Sequence, residues 1–384
     1  MLGLLDIVGQ DTAVARLQRG LTGRRRPHAY LFAGPAGVGR RTTAEALAAA
    51  LLCSRPTSQP NEAKLPDLPG DHALLAACGA CDDCRMMAAG SHPDYHPIYK
   101  ELAAFHPDPK VRDRVMQDLG IDVIRHFLIA PVGQTPARGR GKVFVVRQAE
   151  LMSVPAQNAL LKTLEEPPDG VTIILLCRNA QALLPTTLSR CSLVRFGPLP
   201  EQFVRQALTG RGAGEAEAAF WARFADGSIG RATALAGGEL YKIKCDMVAR
   251  LAAMPAGGNE DLAEELSKTT DKLAADAVTA ARSDDGASLS KNLAARQTTG
   301  TMLQLLACLY VDALTIAVGA DRRLVHADQA DAAAAVAERF TPTKLAEIIE
   351  QLSEFERMLW QNVNPRIVWD NVVVTCASAA PLRV

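Results

Sequence analysis

A chain of 384 residues is too long for one ordinary core, so two or three domains are expected. Hydrophobic residues make up 48% and charged residues 22%, values typical of a soluble globular protein. The 42 basic and 42 acidic side chains cancel, which argues against an overall electrostatic grip on nucleic acid and leaves only local patches.

No apolar run reaches the roughly 18 residues of a membrane span. The first residues, Met1-Leu2-Gly3-Leu4-Leu5-Asp6, carry an acid where a signal peptide needs positive charge. The expectation is a cytoplasmic protein with no membrane partner, in which nine cysteines favour metal or free thiols over disulfides.

Residues 8–23 place Ala13, Val14, Leu17 and Leu21 at helical spacing, and basic Arg24-Arg25-Arg26 follows. The apolar run Ala29-Tyr30-Leu31-Phe32-Ala33 then meets Gly34-Pro35-Ala36-Gly37-Val38-Gly39-Arg40-Arg41-Thr42-Thr43 and an Ala/Leu-rich helix to about Cys53. Strand, glycine turn and helix N-terminus are the parts of a phosphate cradle. A working loop reads G-x-x-x-x-G-K-[ST]. Arg40 and Arg41 occupy its last two positions, and the first hydroxyl, Thr42, comes one residue late. Gly34, Gly37, Gly39, Arg40 and Thr42 are therefore candidate phosphate-loop residues in which the fold is kept and hydrolysis is in doubt.

Residues 54–72 read as an irregular insertion, and 99–118 as a charged surface loop. A strand is expected after Ser91 to Ile98, and helical spacing resumes at Ile121, Val123, Ile124, Phe127 and Leu128. Lys142 to Val146 and Thr172 to Cys177 are runs of buried-strand type, separated by a helix over Leu151 to Leu164. This alternation implies a parallel sheet covered on both faces. Beyond Pro200 every segment reads as helix: a compact unit at 201–240, a polar stretch at 241–300 broken at Gly257-Gly258, and a last bundle over 301–318 and 343–380.

Cys78, Cys81 and Cys84 stand at two-residue intervals. Tetrahedral zinc needs four ligands, and C-x₂-C steps let a tight turn present two thiolates to one ion. Cys53 is the leading candidate for the fourth, with His92 and His96 competing. No carboxylate is arranged beside the cluster to activate water, so the role is structural. Cys177, Cys191, Cys245, Cys308 and Cys376 read as small buried hydrophobes.

An ATPase of this architecture needs acids after the Val143–Val146 strand, one for Mg²⁺ and one for water. Arg147 and Gln148 stand there instead, and Glu150 is displaced by two residues. Arg190, in Ser189-Arg190-Cys191 at the sheet edge, is placed either as a surface ion pair or as an arginine finger for a neighbouring subunit.

Several of these stretches together resemble bacterial clamp-loader subunits of the AAA+ class. They are His28 to Phe32, Gly34-Pro35 with Gly37-Val38-Gly39, the cysteine cluster with Gly90-Ser91-His92-Pro93-Asp94, Asn158 to Pro168, and Leu184-Pro185 through Ser189-Arg190-Cys191. The resemblance is dense over 1–236 and thins to Asn362 to Arg366 near the end. It implies an AAA+ P-loop NTPase-type α/β parallel-sheet domain over 1–198 with a zinc module near 53–84, a helical lid over 199–240, and an all-α collar over 241–384. It also implies structural zinc on Cys53, Cys78, Cys81 and Cys84, and Arg190 as a finger acting in trans. The nucleotide-sensing arginine of the family would fall at or next to Arg231, but Gly230 holds the nearer register. Departures at Arg40, Arg41, Arg147 and Gln148 favour a stator that does not hydrolyse ATP over the ATP-hydrolysing tau/gamma motor. The implied partners are tau/gamma motor subunits and a delta subunit in a hetero-oligomeric ring, which loads a sliding clamp onto primed DNA. DNA contact from this chain would be to phosphates, through Arg24 to Arg26 or Arg138, Arg140 and Lys142, charges that read equally as a solvated surface. A zinc-dependent nucleic-acid-binding protein is a further alternative.

Overall fold

A computed structural model of the chain describes residues 2–23, 26–62, 65–112, 118–254, 260–283, 290–361 and 363–377. Arg24, Arg25, Gly257-Gly258 and Asn362 lie outside the described residues. The chain divides into two compact units, one of residues 1–204 with 226–231 and one of residues 205–225 with 232–384. Of the segment expected as a lid, residues 199–204 and 226–231 fall in the first unit and the remainder in the second.

Among the described residues the first unit is built on seven strands: β1 (Ala29–Ala33), β2 (Thr57–Gln59), β3 (Leu74–Ala76), β4 (Tyr95–Ile98), β5 (Lys142–Val146), β6 (Val171–Cys177) and β7 (Ser192–Arg195). Five of them form a sheet in the order β4-β5-β6-β1-β7, with every pairing parallel. All residues of β1, β5 and β6 are buried, which is why these strands read as unbroken apolar runs. The two-residue period divides them between two cores. Tyr30, Phe32, Val143, Val145, Ile174 and Leu176 meet Leu17 and Leu47 of the helices α1 (Asp11–Thr22) and α2 (Arg40–Leu52). Leu31, Phe144, Val146, Ile173 and Leu175 face the other way, onto Ile124 and Leu128 and onto Leu160.

Two more helices of this unit bear on the site, α3 (Asp82–Ala88) and α4 (Val154–Glu165). Ser153 caps α4 by accepting the Ala156 N–H at 3.4 Å, and Pro155 sits in the first turn, where its missing N–H is harmless. A short helix α5 (Pro185–Leu188) leads to Arg190.

The insertions are more ordered than their composition suggests. In the first, β2 and β3 pair antiparallel, and Asn61 accepts the Leu65 N–H at 2.9 Å. In the second, Lys100–Phe105 is a 3₁₀ turn and Pro109–Arg112 a helical turn, with Ala103 and Val111 buried in the second core. Two small apolar residues in a charged stretch carry no periodic signal, so the surface-loop expectation missed them.

The second unit is helical: α6 (Glu215–Phe224), α7 (Leu240–Ala252), α8 (Glu260–Ser283), α9 (Lys291–Ala317), α10 (Ala330–Arg339), α11 (Pro342–Trp360) and α12 (Pro365–Ala377) are its main elements. By length and composition α9 is a helix that can cross a membrane, yet 50% of its apolar window is buried inside the protein, and it packs on α8, α10 and α11. The fully buried Lys244 is ion-paired with Asp328, donates to Gln329 Oε1 at 3.1 Å and lies 3.9 Å from the centre of the Phe220 ring.

Candidate functional site

The loop after β1 opens a cleft of about 370 Å³ lined by Gly37, Gly39, Arg40, Thr42, Arg147, Gln148, Glu150, Arg178 and Gly230, among others. Gly37 (φ 72°) and Gly39 (φ 97°) hold left-handed conformations that a side chain disfavours. A Cβ on Gly37 would also fall 2.2 Å from Ser228 Oγ. The glycines are thus kept for backbone shape, and α2 begins at Arg40 as the sequence motif requires.

The side chains fill this cradle differently from a hydrolase. Arg40, in the lysine position, donates through Nη1 to the Cys177 carbonyl at the end of β6, so its charge lies across the cleft on the protein's own backbone. Burial holds its pKa below the ordinary arginine value, opposed by the nearby Glu150 carboxylate. Arg41 also lines the cleft and is paired with Glu45, Nε to Oε1 2.7 Å. Thr42 lines the cleft, and the next hydroxyl, Thr43, is spent on the Gly39 carbonyl at 2.9 Å.

The metal side carries no acid at the expected positions. Arg147 lies 5.1 Å from the centre of the Tyr99 ring, a cation–π contact, and burial lowers its pKa from the ordinary value. Gln148 is exposed in a left-handed conformation (φ 52°). Glu150 does face the cleft, but its partner is Arg178 (Nε to Oε1 4.0 Å). Arg178 was not singled out in the sequence, because it follows β6 in no recognisable motif; only the neighbouring strands bring it to the cleft.

Gly227 to Arg231 closes over the loop. Gly230 donates its N–H to the Gly37 carbonyl at 3.0 Å, and Arg231 N–H donates to Ser228 Oγ at 3.2 Å.

Across the unit, Cys53 ends α2, and Cys78, Cys81 and Cys84 converge on it with all four Sγ atoms within 4.8 Å of one another. At Zn–S bonds of about 2.3 Å a tetrahedral ion sets its sulfurs about 3.8 Å apart. The Cys53–Cys81 and Cys78–Cys84 separations are 3.7 and 4.0 Å, so the donor set fits such an ion. Backbone N–H groups of Cys78, Cys81 and Cys84 point at Cys53, Cys78 and Cys81 sulfurs at 3.4, 3.4 and 3.5 Å, which favours thiolates. Burial pushes the Cys81 thiol up, but hydrogen bonds from Ser54 and from the Cys84 N–H outweigh it and hold it at about 5. Burial pushes Cys53 and Cys84 upward, a cost that a bound cation would offset. The four cysteines can hold a metal ion.

Neither competing histidine joins them. His92 Nδ1 accepts the Asp94 N–H at 3.1 Å and its Nε2 lies 3.6 Å from Asp83, while His96 stacks on Phe144 at 4.7 Å between ring centres. Asp83, on α3 between two of the cysteines, accepts Arg138 Nε at 2.9 Å and ties the cluster to the loop before β5. Each member of the basic trio proposed for phosphates bonds within the chain, with Arg138 and Arg140 exposed and Lys142 buried. Arg140 donates to the Ser54 carbonyl at 3.4 Å, and Lys142 is only 4% exposed, with Nζ 2.8 Å from the Pro131 carbonyl.

Among the remaining cysteines, Cys177 and Cys376 are buried and the other three half-buried. Arg190 stands just past α5. Its Nε donates to Glu165 Oε1 at 2.7 Å and its Nη1 to the Thr186 carbonyl at 2.8 Å. Glu165 carried no signal as its partner, since 25 residues separate them.

Residues 9–200 match a family model described as DNA polymerase III, delta subunit, and residues 270–375 match one described as DNA polymerase III, delta subunit, C terminal. The chain is similar to DNA polymerase III subunit delta' of Pseudomonas aeruginosa, 39% identical over 173 residues, which are 45% of this chain and 44% of that protein. It is similar to Escherichia coli subunit delta' at 31% identity, covering 64% of this chain and 65% of that protein. Escherichia coli subunit tau matches at 34% identity over 53% of this chain and 27% of its own length. The chain thus spans less than two thirds of each of these relatives. With half of its length matched by the first model alone, the chain belongs to the DNA polymerase III delta-subunit family.

Proposed function

We propose that this chain is the non-hydrolysing stator of a clamp-loader ring, and that Arg190 serves as an arginine finger for ATP held by an adjacent tau/gamma-type motor subunit. The observation that carries the stator reading is the cleft itself. The lysine position holds an arginine bonded to the chain's own Cys177 carbonyl, and both acid positions hold Arg147 and Gln148. Phosphoryl transfer is mostly positioning and charge neutralisation, and a site whose two acid positions hold Arg147 and Gln148, with the displaced Glu150 facing Arg178, supplies little of either. The motif similarity to tau-type and delta'-type chains supports a place in the same assembly. The ring would open a sliding clamp and place it on primed DNA during replication, with a delta subunit as a further partner. In this reading 199–240 acts as the lid and 241–384 as the collar.

We also assign structural zinc to Cys53, Cys78, Cys81 and Cys84. The ion would cross-link the end of the phosphate-loop helix α2 to α3, and Asp83 would pass that constraint to Arg138.

Binding of a labelled ATP analogue to the isolated protein, followed by a turnover assay, tests the stator reading. Turnover at background is expected. Turnover that disappears with Glu150→Gln would overturn it and favour a deviant motor subunit.

A further inference from the structure

Arg190 is held before any nucleotide reaches it. Nε donates to Glu165 Oε1 at 2.7 Å and Nη2 is ion-paired with the same oxygen, while Nη1 donates to the Thr186 carbonyl at 2.8 Å and to Ser189 Oγ at 3.2 Å. A guanidinium carries five N–H donors. Four are committed here, and a bidentate grip on a phosphoryl group takes two adjacent ones. One edge of the fork must let go before Arg190 can grip. The Nη1 edge is tied to the turn that carries Arg190 itself. The other edge is tied to a charged, 46% exposed side chain on another element.

Holder and held are both anchored to α4. Glu165 is its last residue, and Gln157, two turns earlier, accepts the Leu184 N–H at 2.9 Å where the Arg190 segment begins. Their registration is thus fixed by a helix in the core. An exposed ion pair is weak enough to exchange for a multiply charged phosphoryl group. The Glu165 carboxylate would repel that group at close range, so it cannot share the fork with it.

We propose that Glu165 is a positioning residue that parks Arg190 on its own subunit and releases it to the phosphoryl group of a neighbouring subunit's nucleotide. This rests on the trans-acting reading of Arg190.

The test compares rings assembled from motor subunits and the full chain as wild type, Glu165→Gln, Arg190→Ala and the double variant. With the parked pair weakened, Glu165→Gln is expected to raise ATPase at subsaturating ATP about 1.4- to fivefold, the range that an exposed ion pair converts to. The double variant is expected to match Arg190→Ala. If Glu165→Gln leaves the rate unchanged or lowers it while Arg190→Ala lowers it, the parking role is wrong and the finger reading stands. A rise that persists in the Arg190→Ala background also overturns the parking role. No effect of Arg190→Ala overturns the finger reading, and the parking role with it.

Discussion

Gly230 donates its N–H to the Gly37 carbonyl at 3.0 Å, and a Cβ built on Gly230 would lie 2.9 Å from Gly37 Cα. Two backbones meet here with no side chain between them. The contact closes the phosphate loop by packing.

Gly37→Ala is accordingly expected to destabilise the first unit by about 2 kcal/mol, through a strained φ and the Ser228 clash. Gly133→Ala, at a position with open space and ordinary φ, is the control and should stay within about 0.5 kcal/mol. Urea midpoints of the two variants decide it; equal midpoints would show that the close approach is not what requires glycine.

Arg40→Lys by itself should leave ATP turnover at background, because Arg147 and Gln148 still provide no carboxylate. Multiple-turnover phosphate release on the purified variant measures this. Hydrolysis regained through that one change would mean that Glu150 serves as the acid.

In the assembled ring Arg190→Ala is expected to preserve assembly, followed by size-exclusion chromatography, and to slow turnover at one motor site by about 10³-fold or more. Single-turnover kinetics resolve that site from the others.

With a structural ion on the four cysteines, Cys81→Ser should abolish stoichiometric metal in the purified protein and lower its thermal midpoint, since the binding energy of such an ion would be part of the unit's folding energy. Elemental analysis with a melting curve, repeated on wild type after chelation, checks both. Full metal content in Cys81→Ser would exclude the four-cysteine site.

Lys244→Met should cost about 3 kcal/mol, because it leaves the Asp328 carboxylate, 12% exposed, without its cation. Combining it with Asp328→Leu should recover much of the loss, which chemical denaturation of the two variants will show.

The strands were legible because burial on both faces makes a parallel strand a solid apolar run, as in Val143 to Val146 and Ile173 to Leu176. The phosphate loop was legible because φ above zero and close packing both demand glycine. Ala103 and Val111 were not: their burial comes from distant partners, Val111 stands between Lys110 and Arg112, and the short run Leu102 to Phe105 is too brief to show a period.

Sequence alone determined which groups the chain lacks. A lysine and two acids missing from fixed motif positions are absences that no folding can supply, and three cysteines in seven residues announce a metal-type cluster in the same direct way. Only the tertiary structure decided what the substitutes do. Arg40 reaches Cys177 across 137 positions of sequence, Arg190 reaches Glu165 across 25, and Cys53 reaches Cys81 across 28. The first two contacts are set by parallel strands and the helices between them, and the third by the antiparallel β2–β3 insertion that returns the chain to the end of α2; all three join side chains that a local sequence window cannot pair.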